Sequence, residues 1–181
     1  KEPGGLTIEL GKCSAVFQSY FGAVLCVGWS ADGLYLLAGG EDDLVSLWSV
    51  RDSTVVVRCR GHHSWISAVK FDPEMCHGGS YRFGSVAQDG RLLLWDYAHE
   101  IVHRPRSISG KRRSQDVPVQ AERPEVVVVA PGWDAVPILE PTAEHQAHNV
   151  PVSSIVFTPQ AILTAGNEPC VRVWARPGHV C

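Results

Sequence analysis

Residues 61 to 96 read GHHSWISAVKFDPEMCHGGSYRFGSVAQDGRLLLWD. Ile66 and Val69 lead to the aromatic Phe71, Asp72-Pro73 makes a turn, and the stretch closes on Trp95-Asp96. Leu92 and Leu94 stand three and one places before that tryptophan, the period-two spacing of a strand. The stretch reads as a run of short strands joined by turns, and the question is whether the pattern returns elsewhere.

It returns twice. Val24 to Trp48, VLCVGWSADGLYLLAGGEDDLVSLW, and Val152 to Trp174, VSSIVFTPQAILTAGNEPCVRVW, align with Ile66 to Trp95. Val24 and Val27 precede Trp29, and Val152 and Ile155 precede Phe157, at the offsets of Ile66 and Val69 before Phe71. SADG and TPQ supply the turns. Val45 and Leu47 precede Trp48, and Val171 and Val173 precede Trp174. Trp29 and Phe71 are 42 residues apart, and Phe71 and Phe157 are 86 apart, about twice that. A period of about 40–45 residues with short strands and a closing Trp-Asp is the signature of a propeller blade. The chain therefore resembles the WD-repeat β-propellers, all-β proteins with four antiparallel strands per blade.

That resemblance implies a polar cluster in each blade: a histidine ahead of the first strand, Ser or Thr on the second, Asp in the next turn, and the tryptophan. A connected buried network of this kind pins local geometry. The central unit offers His62, Ser85, Asp89 and Trp95; the last offers His148, Thr164, Glu168 and Trp174, with Glu in place of Asp. The first keeps Asp42 and Trp48, has Ala38 at the hydroxyl position, and lacks an upstream histidine. The histidines at 62 and 148 are accordingly read as structural.

The expected layout follows. Residues 1–21 end a preceding blade, 22–60 form a blade, and 61–103 hold the first three strands of the next. Residues 104–132 are a low-complexity insertion, 133–141 (WDAVPILEP) are the outer strand owed to the second blade, 142–176 form a third blade, and 177–181 are a tail. Propellers close with four to eight blades. About three blades are thus expected to belong to an incomplete propeller, with upstream blades missing or supplied from elsewhere, and alone to make an open array.

Composition excludes several classes. The 181 residues carry a net charge of −3 and a pI near 6.2, with no basic footprint for nucleic acid or an anionic membrane. No apolar run approaches the roughly 20 residues that cross a bilayer. The six cysteines form no CxxC pair and are expected to be reduced thiols of a cytoplasmic and/or nuclear protein.

One motif points to chemistry. Residues 99–103, HEIVH, match the zinc-protease pattern. His99 and His103 would share a metal, with Glu100 as general base, only if the stretch were helical. It follows Trp95-Asp96 by three residues, where a blade leaves its third strand, and Pro105 allows barely a turn of helix. The reading is a connector, with no metal, no cofactor and no catalytic residue. Beyond it the insertion mixes prolines, serines and charges without period. KRRS at 111–114, with RPRS before it, is read as a solvated loop, with a nuclear-import patch or a phosphorylation site as the alternatives. VVVV at 126–129 reads as a strand with no assigned place.

A closer resemblance rests on SYFGAVLCVGWSADG, GGEDDLVSLWS, GHHSWISAVKFDP, YRFGSVAQDG with LLLWD, WARPG, and VPILEP after the insertion. These stretches resemble the WD-repeat subfamily that includes the dystrophia myotonica WD-repeat protein and fungal carbon-catabolite-repression partners. The likeness covers most of 19–103 and 134–178; the short insertion and HEIVH depart from it. It implies a non-catalytic partner that binds a ubiquitin-specific protease and raises its activity, typically with a second WD-repeat activator. Contact in that subfamily uses aromatics in loops that enter the first strands, positions held here by Phe21 and Trp65, 44 residues apart. The alternative is a generic WD-repeat interaction scaffold in signalling or complex assembly, without a deubiquitinase partner.

Overall fold

The computed structural model describes residues 15–98, 126–132 and 135–176. A short strand, β1 (Ala15–Gln18), comes first. The first blade follows: β2 (Val24–Trp29), β3 (Tyr35–Gly40), β4 (Leu44–Ser49) and β5 (Thr54–Arg60). The second opens with β6 (Ile66–Phe71), β7 (Ser80–Ala87) and β8 (Arg91–Ala98). After the insertion come β9 (Val126–Val129), β10 (Ile138–Leu139) and β11 (Ala143–Gln146). The third blade holds β12 (Val152–Phe157), β13 (Ala161–Gly166) and β14 (Val171–Ala175). Within each blade consecutive strands pair antiparallel, and the three sheets do not join into a ring. The fold is all-β with WD-type blades, as the sequence pattern predicts.

Equivalent strands share one irregularity. The β2–β3, β6–β7 and β12–β13 ladders each slip near the start of the first strand, at Val24/Cys26, Ile66/Ala68 and Val152/Ser154. The extra residue turns the apolar offset from two to three, which explains why the key residues stand at i and i+3 before the aromatic's strict alternation resumes.

Blades stack face to face. Ile66 and Val69 are buried against the first blade, with Leu37, Val45, Leu47 and Cys59 in one core. Val152 and Ile155 are buried against the second, with Val86 and Leu92. Gly39 has a steric reason: a Cβ there would stand 2.5 Å from Ile66 Cγ2. The corresponding faces at the two ends of the stack are open. Val24 and Val27 are 43 and 55% exposed where their internal counterparts Ile66, Val69, Val152 and Ile155 lie at 0–1%, and Val171 and Val173 are 61 and 65% exposed where Val45 and Leu47 lie at 0%.

The fourth strands correct one expectation. Within the 133–141 stretch expected to close the second blade, the strand Ile138–Leu139 does not do so; β11 does, with Ala143 opposite Leu94 and Gln146 opposite Arg91. Ala143–Gln146 thus belongs to the second blade, not to the third. Ile138–Leu139 instead pairs parallel with Arg58 and Cys59, adding a fifth strand to the first blade. The outer strand is exposed along its length, so its residues carry no apolar signature, and the more apolar VPILEP draws the assignment away from it. VVVV finds its place as β9, parallel to β1 in a two-stranded sheet. Phe17 of β1 packs edge-on against Trp48 at 5.3 Å.

Candidate partner-binding site

The polar clusters fix the end of the blades from which the candidate aromatics project. In the second blade the Trp95 Nε1–H donates to Ser85 Oγ (2.8 Å), which stands 2.8 Å from His62 Nε2. His62 Nδ1 lies 3.0 Å from Asp89 Oδ2. All three side chains other than Asp89 are buried, and Asp89 also accepts the backbone N–H groups of His63 and Arg91. Burial alone would raise the Asp89 pKa, but His62 and these two amides outweigh it and bring it down to about 2. The third blade repeats the chain: Trp174 to Thr164 (3.0 Å), Thr164 to His148 (2.9 Å) and His148 to Glu168 (3.3 Å).

The longer Glu168 also reaches Arg172 Nη2 at 2.8 Å. His148, Glu168 and Cys170 present ligand atoms within 4.8 Å of one another, a metal-capable grouping. Its imidazole and carboxylate are held within the blade's own network, and its guanidinium neighbour opposes a cation.

The first blade lacks the histidine, and its carboxylate responds. Asp42 accepts from the Leu44 N–H at 3.3 Å. Burial dominates and raises its pKa, with only partial relief from that amide and from the charge of Arg58. The same turn position thus carries a depressed acid where a histidine backs it and a raised one where none does.

These turns anchor the loops that carry the aromatics. The Ala23 N–H donates to Glu41 Oε2 (3.1 Å), and the Glu41 N–H donates to the Ala23 carbonyl (3.0 Å). Gly22 sits at φ +65° against Glu41, a conformation that a side chain would strain. Phe21, 70% exposed, is thereby held beside the Glu41–Asp43 turn. In the second blade the Gln88 N–H donates to the Trp65 carbonyl (3.0 Å), which seats Trp65, 46% exposed, beside the Asp89 turn. Phe21 and Trp65 project from equivalent loops of adjacent blades, at the end marked by the acidic turns.

His99 and His103 lie outside the described residues, as does KRRS. The strand β8 continues to Ala98, immediately before them. In the cleft between the second and third blades Arg176 pairs with Asp72 (2.8 Å, both buried) and Arg82 with Asp96 (2.7 Å).

The sequence reading passes over Tyr20 and Arg58. Arg58 sits in TVVVRCR, an arginine inside an apolar strand, and that incongruity was the available signal. It is fully buried. Its guanidinium donates to the carbonyls of Pro131 (2.6 Å) and Gly132 (3.2 Å), and its Cζ lies 4.8 Å from the centre of the Tyr20 ring.

Residues 11–49 and 53–96 match the WD40 family, described as WD domain, G-beta repeat. This chain carries WD repeats over those residues. The second matched repeat runs from the strand that closes the first blade, β5, onto the third strand of the next, β8. The third blade lies beyond the matched residues and carries the same polar cluster. The chain is also similar to the UBP9-binding protein bun62 of Schizosaccharomyces pombe, 32% identical over 185 residues. That alignment takes in 90% of the chain and 34% of bun62, so the chain spans about a third of that relative's length.

Proposed function

We propose that this chain is part of a non-catalytic WD-repeat scaffold that binds a ubiquitin-specific protease and raises its deubiquitinating activity. The observation that carries this reading is its 32% identity, over nine-tenths of its length, with a protein named for binding UBP9, a ubiquitin-specific protease. Phe21 and Trp65 are the proposed contacts. Exposed aromatics on short, hydrogen-bonded loops lose little entropy on docking and are the residue types that dominate interface energetics.

Activation follows from population shift. A rigid platform that binds the active-like state of the protease more tightly than its inactive state moves the equilibrium by that difference. About 1–3 kcal/mol of coupling corresponds to roughly 5- to 150-fold. The scaffold supplies no nucleophile, base, metal or cofactor, and a second WD-repeat activator can share the protease. We place the protein in the cytoplasm and/or nucleus, where thiols such as Cys59, buried in the core, stay reduced.

The test is capture of UBP9 by the wild-type chain and by the Phe21→Ala/Trp65→Ala variant, with ubiquitin-substrate hydrolysis measured alongside. Loss of capture and of stimulation in a variant that unfolds like the wild type supports the reading. Undiminished capture sinks the assigned contacts, and absence of capture by the wild type turns the reading to a generic interaction scaffold.

A further inference from the structure

We propose that Arg58 is a positioning residue that couples the segment returning from the insertion to the Tyr20–Phe21 loop, so that the seating of that segment sets affinity for the partner. This rests on the reading of Phe21 as a partner contact. Three separate attachments meet at Arg58. Its backbone N–H donates to the Pro137 carbonyl at 3.0 Å, and the residue pairs with Ile138 in the parallel β5–β10 ladder. Its guanidinium edge donates to the carbonyls of Pro131 and Gly132. Its guanidinium lies over Tyr20, the residue before Phe21. Asp42, on the turn next to Glu41, supplies opposing charge nearby.

The chemistry requires arginine. A planar cation can use its edge for carbonyls and its π-face for an aromatic ring at once. An ammonium is a point donor without such a face. Removing the carbonyls of 131–132 would leave a buried cation short of acceptors, which costs more than one ordinary hydrogen bond. The returning segment and the aromatic loop are therefore alternative ends of one clamp, and disturbance at either loosens the other.

The experiment combines hydrogen exchange with binding on the full chain. Arg58→Lys keeps the charge and loses the fork; Tyr20→Leu, at a half-exposed position, removes the ring with little risk to folding. In Arg58→Lys, amide exchange is expected to accelerate in both 126–132 and 19–23. In Tyr20→Leu it accelerates in 126–132, although that segment is untouched. Binding to immobilised UBP9 is expected to weaken roughly tenfold in Arg58→Lys, within the usual range of coupling, and this effect should vanish in a Phe21→Ala background. If Arg58→Lys loosens 126–132 alone, or Tyr20→Leu leaves 126–132 unchanged, the coupling is wrong. If the coupling appears in exchange while Phe21→Ala binds UBP9 like the wild type, the partner reading fails and the clamp stands as a structural element only, which overturns its proposed control of affinity.

Discussion

Ser85 joins Trp95 and His62 through a single hydroxyl. Ser85→Ala leaves an indole N–H and an imidazole nitrogen buried without that partner, and such losses cost about 1–3 kcal/mol. Urea denaturation should show a drop in that range; a change under about 0.5 kcal/mol would mean that the cluster is ornamental. The carboxylates behind the clusters titrate in opposite directions. Asp89 has a folded pKa of about 2 against an ordinary 3.8, so its contribution is complete above 3.8 and disappears as the pH falls towards 2. Asp42 is raised, so its ionisation opposes folding once the pH climbs through and above 3.8. Asp89→Asn should therefore lower stability at pH 7 and flatten the acid limb. Asp42→Asn, which keeps an oxygen for the Leu44 N–H, should be at least as stable as the wild type at pH 7. Melting temperatures from pH 2 to 7 distinguish these outcomes, and a loss of stability at neutral pH in both variants would contradict the assignment.

At the scale of the element, what the sequence could reveal depended on whether a residue faces a core. The first three strands of each blade were legible because Ile66, Val69, Leu92 and Trp95 are apolar to pack in the cores, and the blades at the two ends repeat that apolar pattern even where Val27 and Val173 face solvent. The tetrads in the second and third blades were legible for a related reason: buried polar groups need named partners, and His62, Ser85 and Asp89 have few substitutes. The closing strand was not legible. Ala143–Gln146 is held by backbone pairing, by Arg91 bridging to Glu144, by Gln146 donating to the Asp89 and His148 carbonyls and by His145 edge-on to Trp174, while all four residues remain exposed. Arg58 escaped notice because its acceptors, Pro131 and Gly132, lie more than 70 positions away in sequence and are backbone atoms. Packing between elements is tight enough to test directly. Gly39→Ala places a methyl group against Ile66, and overpacking of this kind costs about 1–3 kcal/mol. The penalty should shrink in an Ile66→Ala background, as expected for two residues in contact. Additive losses in a double-mutant cycle would show that the sheets do not approach each other as described.

For the molecule as a whole, the same offset has opposite consequences according to its place in the stack. Val69 is 1% exposed between blades and Val27 is 55% exposed on the first blade's open face. Val69→Thr puts a hydroxyl where no water reaches, at a cost of about 1–3 kcal/mol. Val27→Thr should stay within about 0.5 kcal/mol of the wild type. Equal losses at both sites would mean that in solution the first blade's face is covered. The second blade carries a further consequence. Its last strand arrives only after the chain has travelled from Ala98 to Ala143 by way of the first blade's rim. Closing so long a detour grows dearer only logarithmically, by about 0.6 kcal/mol for each doubling of its length. Descendants of this gene could thus stretch or trim the detour freely, provided that the Arg58 moorings and the closing ladder survive, and the rim becomes a place where new regulatory sequence can be spliced in at almost no thermodynamic risk to the sheet beneath it.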